Sequence, residues 1–321
     1  MTRRRNAPTY PVGLSSDTVR PTTNRSDIFV VGSPRSGTSW IQHVLSAHPD
    51  IITTPETHLF IGLRDFVAGA DSSGPRTGFQ HCVRPEQLTE WLRSIWETVR
   101  GNLLELEPGA TRVLEKTPGH VHCIDLIRSV VPGARFVHVV RDPRDVVRSL
   151  LEASTSWAST WAPGDVEGAI EMWSSSIRSA LETDLADDVI TVRYEALQSG
   201  PLAWEPVLRH LGIDPAWQLD HLDERPRAGN RMVRVSSAPD ALWDVPGFSY
   251  HDREPGHKRE LSAFEQRVVV ARCAELAAPF GYDLGGSSRL RESDRIRLTA
   301  QRLRRRGTAM WHRRSPFGKL P

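Results

Sequence analysis

Between Gly32 and Trp40 the chain reads Gly-Ser-Pro-Arg-Ser-Gly-Thr-Ser-Trp, a run whose glycines and hydroxyls suit the capture of an anion. The apolar run Ile28-Phe29-Val30-Val31 precedes it, and Trp40, Ile41, Val44 and Leu45 follow it at helical spacing. A strand that turns into a helix in this way gathers backbone N–H groups, and the helix N-terminus adds positive potential. Phosphate is the natural guest. The glycines allow the tight turn and a close approach of the backbone. The spacing is that of a P-loop with one departure: Thr38 stands where the lysine of a nucleoside-triphosphate site belongs. That speaks against an ordinary NTPase. A bare strand–turn–helix corner is the alternative without a ligand.

Two further places carry cations at predicted strand ends. Arg141 closes Phe136-Val137-His138-Val139-Val140, and Ser149 follows two helical turns later, so both are placed to approach one anion. Arginine suits phosphate because its planar donors bind two oxygens at once; an ion-paired helix start is the bland alternative. Lys116 ends the run Leu114-Glu115-Lys116 and is one of only three lysines among 41 basic residues. The ends of parallel strands open into the ligand crevice of such sheets.

The elements that must position these residues alternate. Strands are expected at Asp27–Gly32, Arg112–Glu115, Arg135–Arg141 and Asp188–Arg193. Helices are expected at Gly37–Ala47, His120–Val130, Asp142–Leu151, Leu202–Leu211 and Ser262–Phe280. This predicts a three-layer α/β fold, a mostly parallel sheet with helices on both faces and a P-loop-like phosphate loop. Residues 1–25 read as a flexible arm, 26–286 as one domain and 287–321 as a basic tail. The stretch 225–258 is too long for a simple connection and reads as a functional or mobile loop.

The totals bound the function. Charged residues make up 25% of the chain and the net charge is only +2, which excludes a broadly basic nucleic-acid binder. Charge is concentrated in the tail, where ten arginines and Lys319 face only Glu292 and Asp294, a balance of +9. With Ile296, Ala300 and Leu303 at helical spacing, the tail reads as a weakly amphipathic helix able to touch an anionic membrane surface. Met1-Thr2-Arg3-Arg4-Arg5 has no apolar stretch behind it, and no transmembrane run exists. Cys82, Cys123 and Cys273 fit neither a disulfide framework nor a zinc site. They read as small buried residues of a reducing cytoplasm. No metal cluster is evident; His43 and His48 lack ligand partners in the sequence.

Pro34-Arg35-Ser36-Gly37-Thr38-Ser39-Trp40 resembles the 5′-phosphosulfate loop of the sulfotransferases that use 3′-phosphoadenosine 5′-phosphosulfate (PAPS). Arg141 to Ser149 is similar to that family's 3′-phosphate segment, and Val192-Arg193-Tyr194-Glu195-Ala196-Leu197 to a run after a later strand. Cys273 to Leu284 resembles its closing helix and turn. The resemblance spans roughly residues 26–286. It implies PAPS as co-substrate, no metal, and transfer of a sulfuryl group to a hydroxyl of a sugar, glycolipid or natural product. By the same resemblance Pro34, Arg35, Ser36, Gly37, Thr38 and Ser39 hold the phosphosulfate, Arg141 and Ser149 the 3′-phosphate, and Tyr194 lies near the adenine. Lys116, with Arg35, meets the transferring group.

The base is expected elsewhere than in the cytosolic branch of that family. There the lysine is followed by Thr-His, whereas here Thr117 is followed by Pro118. A second branch, with glycan-, tyrosine- and glycolipid-modifying members, uses a Glu soon after the first helix. Thr54-Pro55-Glu56-Thr57-His58-Leu59-Phe60 offers Glu56, with Leu59 and Phe60 expected to bury it in part. A carboxylate that merely caps a helix is the alternative for Glu56. His58, then His120 and His122, stand in reserve. Trp157, Trp161 and Trp243 have faces that suit sugar or aromatic rings, but core packing is the expectation for any one of them. The rival functions are a P-loop kinase using MgATP and a non-catalytic nucleotide-binding regulator.

Overall fold

Alternation along the first strand decides the layers. In β1 (Ile28–Gly32), Phe29 and Val31 join one buried cluster while Ile28 and Val30 join another on the opposite side. β2 (Ile51–Thr53), β3 (Arg112–Lys116), β4 (Arg135–Val140) and β5 (Val189–Arg193) complete a sheet of order β2-β3-β1-β4-β5. Every pairing is parallel. The computed structural model describes residues 26–71, 81–183, 187–220, 259–286 and 289–301. The predicted loop at 225–258, Trp243, the arm at 1–25 and Leu303 lie outside the described residues.

In chain order the helices are α1 (Thr38–Leu45), α2 (Leu59–Asp71), α3 (Pro85–Leu106), α4 (Ile124–Val130), α5 (Pro143–Ser154) and α6 (Val166–Glu182). They continue with α7 (Tyr194–Leu197), α8 (Glu205–Leu211), α9 (Pro215–Asp220), α10 (Ala263–Ala277) and α11 (292–301). Phe60, Trp96 and Ile127 from α2, α3 and α4 cover the face of Phe29, Val113 and Phe136. Ile41 and Leu45 of α1, with Leu208 of α8, cover the face of Ile28, Leu114 and Val137. α5, α6 and α10 pack together around Trp173, Leu150 and Val268. The expected three layers are therefore present. Neighbouring residues of β3 serve opposite layers: Val113 and Glu115 look toward α2 and α4, Leu114 and Lys116 toward α1.

The sheet order creates the site. The chain leaves β1 for the edge at β2, comes back through β3 and later crosses to β4 on the other side, so β1 lies at a topological switch point. The crevice opens there, outside the carboxyl ends of the strands. β1 ends at Gly32, whose φ of 150° brings it against β4: a Cβ there would sit 2.5 Å from the Val139 carbonyl oxygen.

Several boundaries differ from expectation for local reasons. The expected helix His120–Val130 starts as a 3-10 segment, Pro118–Cys123, and only then becomes α4. Leu202–Leu211 likewise opens as a 3-10 turn over Pro201–Trp204. Asp142 stays outside its helix and caps it, its carboxylate accepting the Arg144 N–H at 2.8 Å. Ser262 does the same for α10 in a capping box with Glu265. In α11 the expected apolar face is wrong. Ile296 is exposed, while Leu298 is buried and Asp294 binds Arg267 at 2.7 Å, so α11 turns its 294/298 stripe onto α10. No helix among the described residues is long and apolar enough to cross a membrane.

Candidate active site

The Gly32–Trp40 loop is shaped by backbone geometry. Arg35 takes a left-handed φ of 70°, and the Ser36 N–H closes a turn on the Ser33 carbonyl at 3.2 Å. Gly37 has φ 97° and lies so near Tyr194 that a Cβ would overlap its ring. Among the described residues no side chain caps the first turn of α1, and within that turn the Trp40 N–H bonds back to the Gly37 carbonyl at 3.0 Å. Among the described residues two buried polar atoms here have no partner, the Ser36 hydroxyl and Arg141 Nε. Buried polar groups are normally satisfied. A nucleotide's phosphate oxygens are acceptors of the kind both lack, so the residues fit the group the sequence implied.

The cations around this loop are held in place by named partners. Arg35 Nε donates to Ser149 Oγ at 3.0 Å, and its guanidinium lies 5.4 Å from the Trp157 ring. Ser149 thus meets Arg35 directly, while Arg141 is held by other groups. Its guanidinium stacks 4.5 Å from the Tyr194 ring and contacts Asp145 at 3.4 Å. Burial alone would raise the Asp145 carboxyl, but Arg141 and Arg148 outweigh it and hold the carboxyl below its ordinary value. Trp40 meets Tyr194 edge-on at 5.3 Å. The two rings form an aromatic corner, and Trp40 is a site residue that the sequence reading gave no role. Its signal was the last position of the loop motif.

At the neighbouring strand end Lys116 reaches across the crevice. Its side chain is 5% exposed and its Nζ donates to Ser39 Oγ at 3.2 Å and to Glu56 Oε1. Loop, strand and the β2–α2 connection thus meet at one ammonium. Glu56 is 38% exposed, with His58 Nε2 at 3.7 Å from its other oxygen. The expected burial by Phe60 does not occur. Phe60 turns away into the core against Phe29 and Trp96, because the chain enters α2 between the two residues.

The reserve histidines are placed apart from Glu56. His120 is fully buried with Nδ1 at 2.8 Å from Glu115 Oε2. His122 Nδ1 lies 2.6 Å from Ser179 Oγ, and burial, then the nearby Arg64, push its pKa down. His122 borders a cleft of about 760 Å³ that begins at Pro34 and Gly119 and runs along Glu167, Met172 and Ser176 of α6. Trp157 and Trp161 do not pack in the core as expected. They are 67% and 43% exposed and meet edge-on at 5.7 Å, because the chain leaves α5 there and runs over the surface.

The chain is 26% identical over 194 residues to protein-tyrosine sulfotransferase 1 of Danio rerio, covering 58% of this chain and 53% of that one. It is 25% identical over 216 residues to the nodulation protein NoeE of Sinorhizobium fredii, covering 59% and 50%. The chain thus spans about half the length of these curated relatives. The sulfotransferase domain of the Synechococcus PCC 7002 olefin synthase shares the fold, with a TM-score of 0.52 at 22% identity over 81% of this chain and 96% of that one. The profile described as Sulfotransferase family matches residues 27–218, more than half of the sequence, and the chain belongs to that family.

Proposed function

We propose that the protein transfers a sulfuryl group from PAPS to an acceptor hydroxyl, with Glu56 as general base and Lys116 as the cation at the transferring group. The observation that carries this reading is the meeting of Lys116 with both Ser39 of the donor loop and Glu56. PAPS supplies an activated sulfuryl group whose departure leaves new negative charge on the 5′-phosphate. Arg35, Lys116 and the N–H groups of α1's first turn are preorganised donors for that charge. Ser36 and Thr38 add hydroxyls to the same loop, and Pro34 fixes its entry. Arg141 and Ser149 bind the 3′-phosphate, and the Tyr194–Trp40 corner packs the adenine.

Glu56 takes the proton from the acceptor hydroxyl as its oxygen bonds to sulfur. The carboxylate lies beside the ammonium that meets the transferring group, so base and electrophile share one location. Acceptors enter along the cleft at Pro34, Gly119 and α6. The names of the similar proteins include tyrosine sulfotransferases, which act on a phenolic hydroxyl. Sugar and natural-product hydroxyls fit the same chemistry. Thr38 in the place of the P-loop lysine argues against the kinase.

Calorimetry with adenosine 3′,5′-bisphosphate, with and without a metal chelator, tests the donor side. Binding that is tight and indifferent to chelator is expected. A preference for MgATP moves the assignment to the kinase.

A further inference from the structure

Glu115 immediately precedes Lys116 on β3 and points to the opposite face of the sheet, where only 1% of it is exposed. A charge so placed is costly unless every lone pair is used. Its partners all lead to one stretch of chain. Oε1 accepts from the Thr57 N–H at 3.3 Å, the Thr57 hydroxyl at 2.9 Å and the Thr117 hydroxyl at 2.6 Å. Oε2 faces His120 Nδ1 at 2.8 Å.

Each intermediary accepts a backbone N–H in turn. Thr117 Oγ1 accepts from His58 at 3.3 Å, Thr57 Oγ1 from Leu59 at 3.2 Å, and His120 Nε2 from Phe60 at 3.3 Å. An imidazole that accepts at Nε2 carries its proton on Nδ1, aimed at Glu115. The four consecutive N–H groups of residues 57–60 therefore all end on one carboxylate. Those of His58, Leu59 and Phe60 are among the donors a helix start leaves without intrahelical partners. Burial alone would raise the Glu115 carboxyl, but His120, Thr117 and Thr57 outweigh burial and hold it below its ordinary value.

The pinned stretch begins one residue after Glu56. Within it His58 takes a left-handed φ of 51°, a conformation that persists in a non-glycine residue only where its surroundings over-determine it. We propose that Glu115 is a positioning residue which, through Thr57, Thr117 and His120, sets the backbone at the start of α2 so that Glu56 lies against Lys116. The proposal rests on the reading of Glu56 as the base. Two adjacent residues of one strand then divide the work: Glu115 fixes the loop's backbone from one face, and Lys116 meets its carboxylate from the other.

The test uses the full chain and reads labelled sulfate released from radiolabelled PAPS, with water as acceptor. Glu115→Gln sets an amide N–H₂ against donors and breaks the relay. Turnover should fall by about 10- to 100-fold, the scale of an ångström-sized misplacement. The Kd for adenosine 3′,5′-bisphosphate should stay within about twofold, because the donor loop shares none of these bonds. Amides 57–60 should lose hydrogen-exchange protection. Thr57 is only partly buried, so Thr57→Val gives a second variant that keeps the core, and Thr57→Ser should restore what Val loses. In a Glu56→Gln background, Glu115→Gln should slow turnover no further. Equal slowing by Glu115→Gln in both backgrounds, or unchanged turnover in Glu115→Gln and Thr57→Val, overturns the positioning role alone. Wild-type turnover in Glu56→Gln removes the base reading, and this proposal with it.

Discussion

Arg35, Ser36 and Gly37 keep their places through backbone geometry set within a few residues, by a turn onto Ser33 and two left-handed conformations. Glu56 keeps its place through side chains about sixty positions away, on β3 and the segment after it. The backbone of this loop is thus a local structure that the fold only has to receive. The end at Glu56, the proposed base, is a long-range structure that exists only once β3 lies beside β2. The difference separates binding from turnover: a change at one end should leave the other standing.

The largest separation is expected from Glu56→Gln, which keeps size and hydrogen bonding and removes basicity. Turnover should drop by about 10²–10⁴-fold, the worth of general base catalysis, with donor binding intact. His58→Ala should cost much less. A reversed pair of results makes His58 the base.

Acid should act first through a core group that belongs to neither end. His138 on β4 is fully buried, with Nδ1 at 3.2 Å from Thr191 Oγ1, and burial lowers its pKa from 6.5 to about 4. Above the ordinary value neither folded nor unfolded chain carries this proton. As pH falls toward about 4 only the unfolded chain takes it up, so stability should decline through that window by about 3 kcal/mol and no further below it. Glu115, with its folded pKa lowered, contributes stability above 4.5 that is lost only as pH falls below that value. Denaturant unfolding at a series of pH values should show the His138 phase vanish in His138→Gln. A decline that survives the substitution assigns it to other groups.

Arg141→Ala comes next. Losing charge-assisted bonds to the 3′-phosphate should weaken adenosine 3′,5′-bisphosphate by roughly 1.5–3 kcal/mol. Adenosine 5′-phosphosulfate, which has no 3′-phosphate, should be far less affected. Equal losses show that Arg141 serves only to pack Tyr194.

What the sequence disclosed follows the same division. The donor loop, Arg141, Ser149 and the strands around them were legible because each signal lies within a dozen residues and carries its own periodicity. Lys116 stands out by its strand end and its rarity, Glu56 only by a resemblance, and nothing in their spacing announces that they meet. Glu115 stood in the quoted run without a role, since its four bonds join positions 57, 117 and 120 across the sheet. α3 escaped notice for a different reason. Over 22 residues it buries only Leu92, Trp96 and Leu103 fully, too thin a stripe to stand out from its charges. Residue type alone places Trp157 and Trp161 in the core, whereas their exposure depends on where α5 ends.

Trp157 tests whether the donor end is as local as its backbone suggests. Its ring lies under the Arg35 guanidinium at 5.4 Å, although the two residues are far apart in sequence. It is 67% exposed, so Trp157→Ala opens no core cavity and should change stability by less than about 0.5 kcal/mol. A cation–π contact at an exposed site is worth about 0.5–1 kcal/mol, so donor affinity should fall by no more than about fivefold. Arg35 remains tied to Ser149 at 3.0 Å, which keeps its guanidinium near the loop when the ring is gone. Titration of the variant with adenosine 3′,5′-bisphosphate checks this. A loss beyond tenfold means that the left-handed turn at Arg35 is not enough to aim its side chain. The aim of Arg35 then depends on the ring as well as on Ser149, two contacts made only in the folded molecule, and the two ends differ in degree instead of in kind.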